Sequence, residues 1–190
     1  LARGTVIHGL FEEIEWIEKI PTDLDLLKIA KRLGDEILDA HSQVTDFRRM
    51  LERKEIANVL MPAYYLSPNE ESVIESLPDS FNVETAQLEV HNERTFIVSD
   101  SGQMLGGTID RLVLIYCGDQ LLSADIVDFK TDRLDTADPD ALEKRAKHYQ
   151  PQIQAYRRAV SSIFNLELQH ICARLLFVDA GLCYSFSPQA

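Results

Sequence analysis

Asp110, Asp128 and Lys130 are the residues of this chain whose types and spacing could do chemistry. They stand in G-G-T-I-D-R-L, residues 106–112, and one hydrophobic run later in I-V-D-F-K-T, residues 126–131. Two carboxylates can hold a hard divalent cation, and a lysine two residues past one of them lies on the same strand face. Together they form a minimal kit for metal-assisted hydrolysis of a phosphodiester. Taken singly, each reads equally well as a solvated strand end or a surface ion pair. The pair carries more. With a hairpin turn at Gly118-Asp119, Asp110 and Asp128 lie about eight or nine residues from it on either arm. They are then nearly opposite, with side chains roughly 5 Å apart. Facing like charges destabilise a sheet unless a cation lies between them.

Around this pair stand further candidates. Gly106-Gly107 would let a backbone or substrate approach closely, or would form a β-bulge. His8 falls on the polar face of the first helix with Thr5, Glu12 and Glu15. It is open to two readings, a solvated imidazole or a third ligand suited to Mn²⁺ and acceptable to Mg²⁺. Gln152 and Tyr156, at i and i+4, project from one side of a helix. Tyr156 there either joins the apolar stripe of Ile153, Val160 and Phe164, or completes a polar pair reaching a phosphate or the attacking water. Lys144, Arg145, Lys147, Arg157 and Arg158 face one acid, Glu143, within Ala141–Val160. That local excess of basic charge is what a phosphate backbone would require.

The elements that must position these residues follow from the pattern. Apolar residues at 7, 10, 11, 14 and 17 predict a helix over Gly4–Ile20. Pro21-Thr22-Asp23 ends it, and Asp23 is the expected N-cap of Leu24–Leu33. Gly34 punctuates, Thr45–Leu60 is a third helix, and a short one is expected at Glu70–Leu77. From Phe81 the period changes from about 3.6 to 2. Strands are expected at Thr85–His91, Arg94–Ser99, Met104–Tyr116 and Leu121–Lys130, forming a meander of antiparallel hairpins. Asp138-Pro139 begins a short helix to Lys147, and Pro151 the first turn of another running to Phe164. Strands His170–Asp179 and Leu182–Ser187 close the chain around Ala180-Gly181. The order predicts one α/β domain over 1–190, mainly helical to residue 80, with a central mixed sheet after it.

At 190 residues, 45% hydrophobic and 26% charged, the chain can bury one good core. No apolar run approaches the roughly 18–20 residues of a membrane span. Cys117, Cys172 and Cys183 are far apart and form no CxxC pair, so they read as reduced thiols of a cytoplasmic protein. A structural zinc or an iron–sulfur cluster would need more of them, closer together. The chain begins at Leu1 and runs at once into a helix, which reads as a domain taken from a longer polypeptide. The net charge of −12 is contrary to a free-standing nucleic-acid binder, which is usually basic.

In order, G-T-V-I-H (4–8), G-T-I-D (107–110), D-F-K-T (128–131) and Q-I-Q-A-Y (152–156) resemble the RecB/AddA-type nuclease domain of bacterial helicase–nucleases, within the PD-(D/E)xK superfamily. The resemblance spans Gly4 to about Asp179. It implies a restriction-endonuclease-like α/β core, a central mixed sheet flanked by helices, with an extra helical N-terminal half. His8, Asp110 and Asp128 match the family's metal ligands, with the backbone carbonyl of Phe129 completing the protein's share. Lys130 matches the catalytic lysine, and Gln152 and Tyr156 the motif that supports the site and the DNA. Glu93 matches, more loosely, an acidic position before the Gly-Asp strand. The cofactor implied is Mg²⁺ or Mn²⁺. Iron–sulfur members carry four flanking cysteines, a set missing from this sequence, so no cluster is expected. No Walker A sequence is present, so the ATP-driven motor would lie elsewhere in a longer chain or in an associated protein. The resemblance implies a metal-dependent DNA nuclease, exonuclease before endonuclease, acting on single-stranded or unwound DNA beside a helicase motor. The alternative is a retired nuclease fold used as a repair scaffold or interaction module. RNA as substrate stays open, since nothing in the sequence reads a 2′-hydroxyl.

Overall fold

The N-terminal apolar periodicity folds into five helices: α1 (Ala2–Glu12), α2 (Asp23–Leu33), α3 (Ala40–Leu51), α4 (Lys54–Val59) and α5 (Pro62–Leu66). The structure, a computed structural model, describes residues 2–34, 39–66, 81, 83–100, 102–135 and 137–186. The helix expected at Glu70–Leu77 lies outside the described residues, as does Ser187. Three long strands follow: β1 (Ala86–Asp100), β2 (Gln103–Cys117) and β3 (Gln120–Lys130). Then come α6 (Ala141–Phe164), β4 (Ile171–Phe177) and β5 (Leu182–Phe186). The sheet order is β1-β2-β3-β4-β5, antiparallel throughout except for the parallel β3–β4 pair. A parallel pair needs a long crossover, and α6 supplies it.

The helical front half and α6 cover opposite faces of the sheet. Val127 and Phe129 of β3 bury against Phe11, Phe47 and their neighbours, with Phe11 stacked on Phe129 at 4.2 Å between ring centroids. Ala124 and Ile126 bury with Ile153, Ala159 and Val160 of α6. Alternation along β3 therefore points Asp128 to the α6 side, one residue from each of two core anchors.

Four expected boundaries are corrected. The first helix ends at Glu12, not Ile20. Arg111 donates to the carbonyls of Ile14 and Glu15, and Asn92 to those of Glu12 and Ile14. Side chains of the sheet thus take over the carbonyls that a continuing helix would bond. Thr22, not Asp23, caps α2; its hydroxyl oxygen accepts from the Asp25 amide, while Asp23 is helical and paired with Arg48. The third helix begins at Ala40 and divides at an extended Arg53, whose guanidinium donates to the Asp179 carbonyl at 2.5 Å. Finally, the two helices expected around Pro151 are one, with the proline in its interior. The loss of a single amide donor there is outweighed by the buried face of a 24-residue helix.

Two expected strands are also one. β1 runs through Asn92 and Glu93, where Glu93 adopts φ = 50°, a left-handed value rare outside glycine. Ile109 and Leu112, three apart on β2, both pack in the α6-side core.

Candidate functional site

The β2–β3 register sets the site. Arg111 pairs with Val127, so Asp110 and Asp128 stand one step further along; a register shift at Ile115/Tyr116, which the hairpin count does not contain, brings the two level. Asp110 is fixed from two sides. Its Oδ2 accepts the Phe129 amide at 2.7 Å, and its Oδ1 lies 3.5 Å from His8 Nδ1 of α1. A residue in a strand projects its N–H and C=O toward the same neighbour, so the Phe129 carbonyl also faces the Asp110 side.

Glu93 completes a cluster. Ligand atoms of His8, Glu93 and Asp110 all lie within 4.8 Å of one another. Glu93 joins it from a left-handed backbone, a conformation that nothing in the sequence marks. The hydrogen bond to Asp110 raises the His8 pKa against the opposing effect of burial. Burial, then the charge of Asp110, raises that of Glu93.

Asp128 is 1% exposed. Burial and the nearby Asp110 charge push its carboxyl up to about 6, against the pull of Lys130. Lys130 Nζ stands 2.5 Å from Asp128 Oδ2, yet off the angles of a hydrogen bond. That oxygen has no hydrogen-bond partner among the described residues. A buried carboxylate oxygen beside the Lys130 ammonium, two further carboxylates and an imidazole form a ligand set suited to a hard divalent cation. Cation binding would offset the burial of Asp128 and Glu93, the larger cause of their shifts, as well as the Asp110 charge beside them.

On the other side of Lys130, α6 contributes Gln152 and Tyr156. Gln152 Oε1 accepts from Lys130 Nζ at 3.3 Å, and its Nε2 donates to the Tyr156 hydroxyl at 2.6 Å. Tyr156 is 7% exposed in the α6 core, and its hydroxyl also joins the polar chain leading to Lys130. Burial pushes its phenol up to about 12, so it is a neutral donor at working pH. Its ring meets Phe96 edge-on at 5.7 Å and lies over Gly107, where an added Cβ would come 3.1 Å from it. Gly107 is therefore required by ring packing, whereas a Cβ at Gly106 would make ordinary contacts. Gly107→Ala is expected to displace the Tyr156 ring and cost about 1–3 kcal/mol of stability. A thermal melt beside Gly106→Ala checks this: equal melting temperatures for the two variants would contradict it.

Before the cluster opens a cleft of about 600 Å³ between α1, Leu33, Glu93 and Thr131. Gly4 forms one wall, and a Cβ on it would lie 3.2 Å from Thr131 Oγ1.

The basic strip expected on α6 is corrected. Lys144 pairs with Asp138 at 2.9 Å, Arg145 with Asp132, and Lys147 with Glu143 at 2.7 Å. Arg157 is 4% exposed and donates to the Leu168 carbonyl. Counting charge along the helix alone missed the acids of the preceding loop. Sequence reasoning also missed Tyr149, whose ring centroid lies 4.2 Å from Lys130 Nζ. Its position three residues before Gln152, on the same helix face, was the available signal.

The PD-(D/E)XK nuclease superfamily matches over residues 1–186. An ATP-dependent helicase/nuclease subunit of Natranaerobius thermophilus is 30% identical over 148 residues, covering 77% of this chain. The match spans only 10% of that protein's own length.

Proposed function

The chain belongs to the PD-(D/E)XK nuclease superfamily, and on that premise we propose that it is a Mg²⁺- or Mn²⁺-dependent DNA nuclease. Its mixed five-stranded sheet between helical layers is the restriction-endonuclease-like core of that superfamily. The observation that carries the proposal is the meeting of His8, Glu93 and Asp110 beside the buried Asp128–Lys130 pair. His8, Glu93, Asp110 and Asp128, with the Phe129 carbonyl, would hold the cation. When bound, the cation supplies Lewis-acid charge at the scissile phosphate. The chain's own residues do the rest. Asp110 keeps its orientation through the Phe129 amide. Lys130 offers N–H donors that orient the attacking water and neutralise charge developing on the phosphate. Gln152 holds that ammonium and fixes Tyr156, whose hydroxyl accepts from Gln152 and keeps its own proton for a phosphate oxygen.

The relative's description as an ATP-dependent helicase/nuclease favours a role as the exonuclease module of a recombination-repair helicase–nuclease. The net charge of −12 fits such a role. A tethered motor raises the effective concentration of strand at the site without new contacts, so weak intrinsic binding suffices. By itself this chain is then expected to cleave slowly and to be strongly inhibited by salt. Tight binding to duplex DNA at physiological salt would contradict that role.

The test is cleavage of end-labelled linear single-stranded DNA with Mg²⁺ or Mn²⁺ at low salt, with EDTA and Asp128→Ala as controls. Cutting that is lost in both controls is the expected result, and the product ladder separates exo from endo action. Wild-type cleavage by Asp128→Ala would sink the assignment.

A further inference from the structure

Lys130 carries its ammonium on a flexible four-carbon stem, so its position must be imposed by its surroundings. Asp128 and Gln152 contact it from two directions. A third side is closed by the ring of Tyr149, 4.2 Å from Nζ to the centroid, well inside cation–π range. The ring is itself anchored at both ends. Its backbone belongs to α6, and its hydroxyl donates to Asp132 Oδ2 at 2.8 Å. Asp132 lies two residues beyond Lys130 and is clamped in turn by Arg145. Burial, then the bond to Asp132, raises the Tyr149 pKa to about 12, which keeps the ring neutral.

We propose that Tyr149, tied to Asp132 and Arg145, is the positioning residue that aims the Lys130 ammonium at the scissile phosphate. This rests on the reading of Lys130 as the catalytic ammonium. The physical advantage of a ring is that it attracts the cation without accepting a directed hydrogen bond. Asp128 and Gln152 contact the ammonium from two directions, and the ring holds it on a third while an N–H remains for substrate. A carboxylate in its place would take that donor.

The experiment is single-turnover cleavage of end-labelled single-stranded DNA with Mn²⁺ by the full-length protein. The variants are Tyr149→Phe, Tyr149→Leu, Lys130→Ala and the double variant Lys130→Ala/Tyr149→Leu. Tyr149→Leu is expected to lose roughly tenfold in the rate at saturating DNA, with half-saturation within about twofold. Tyr149→Phe, which keeps the ring, retains most of the rate. In the Lys130→Ala background, Tyr149→Leu has no further effect, because the group it positions is gone. In metal-free protein the Lys130 Hε protons are expected upfield of ordinary lysine by the ring current, and shifted back by Tyr149→Leu but not by Tyr149→Phe. Tyr149→Met replaces the leucine variant should that fail to fold. Parental cleavage by Tyr149→Leu, or the same tenfold loss without Lys130, would overturn the positioning role while leaving the nuclease reading intact. Parental cleavage by Lys130→Ala would overturn the role assigned to the lysine, and the proposal with it.

Discussion

Asp128→Asn is expected to lose on the order of 10³-fold in cleavage rate and, stripped of divalent cation, to be more stable than the parent. The two effects share one cause. Asp128 is buried, its Oδ2 lacks a hydrogen bond, and its carboxyl is shifted from 3.8 to about 6, by burial first and Asp110 second. A carboxyl whose pKa is raised on folding binds its proton more tightly in the folded state. Its contribution therefore favours folding below about pH 4 and is lost as pH rises to about 6. Above that range the folded, metal-free protein carries a destabilising charge worth on the order of 3 kcal/mol. Asparagine has nothing to ionise, and Lys130 keeps Gln152 and Tyr149 as neighbours. The variant should thus gain stability in EDTA at pH 7.5 and gain little at pH 4. Adding Mn²⁺ should stabilise the parent by mass action and the variant far less. Urea midpoints at the two pH values, with EDTA or Mn²⁺, measure all of this. A variant less stable than the parent in EDTA at pH 7.5 would show that Asp128 is a structural residue, not a strained ligand.

The parts of this site readable from sequence are those fixed by local arithmetic. Asp110 and Asp128 could be set nearly opposite each other because Gly118 turns the hairpin, and a register shift at Ile115/Tyr116 that the count could not show brings them level. Gln152 and Tyr156 could be set on one face because helical spacing is equally local. Readability ended where a distant side chain intervened. Arg111, 97 residues from Ile14, stops α1, and no pattern within residues 4–20 signals it. Glu93 joins the cluster through a backbone conformation that its residue type disfavours. Along β2, Ile109 and Leu112 share a core that period 2 would divide. The charge of α6 misled for a related reason. Its balancing acids Asp132 and Asp138 lie in the loop before it, where composition counts cannot see pairing.

The second large effect lies on the opposite face of β3, away from the proposed chemistry. Arg174→Met is expected to destabilise the protein by about 3–5 kcal/mol, because it leaves Asp125 charged, fully buried and short of a counterion. Asp125 is 0% and Arg174 3% exposed. Arg174 Nε donates to Asp125 Oδ1 at 3.1 Å, its Nη2 lies 3.1 Å from the same oxygen, and its Nη1 donates to the Tyr64 hydroxyl. Tyr65 donates its own hydroxyl to Asp125 Oδ2. Removing either charge strands the other, whereas Asp125→Leu with Arg174→Met removes both and should recover most of the loss. The pair crosses from β3 to β4, where Val127 is aligned with Arg174 and Lys130 with Phe177. It therefore holds the register that brings Asp128 and Lys130 level with α6. This predicts a division that a simple packing role would not produce. The double variant should fold well yet cleave less than the parent, since a hydrophobic pair restores stability without specifying alignment. Urea denaturation of the four proteins gives the coupling energy, and cleavage with Mn²⁺ gives the consequence for the site. Single variants costing under about 1 kcal/mol would refute the buried-charge argument. A double variant with both full stability and parental cleavage would instead confine the pair to stability alone.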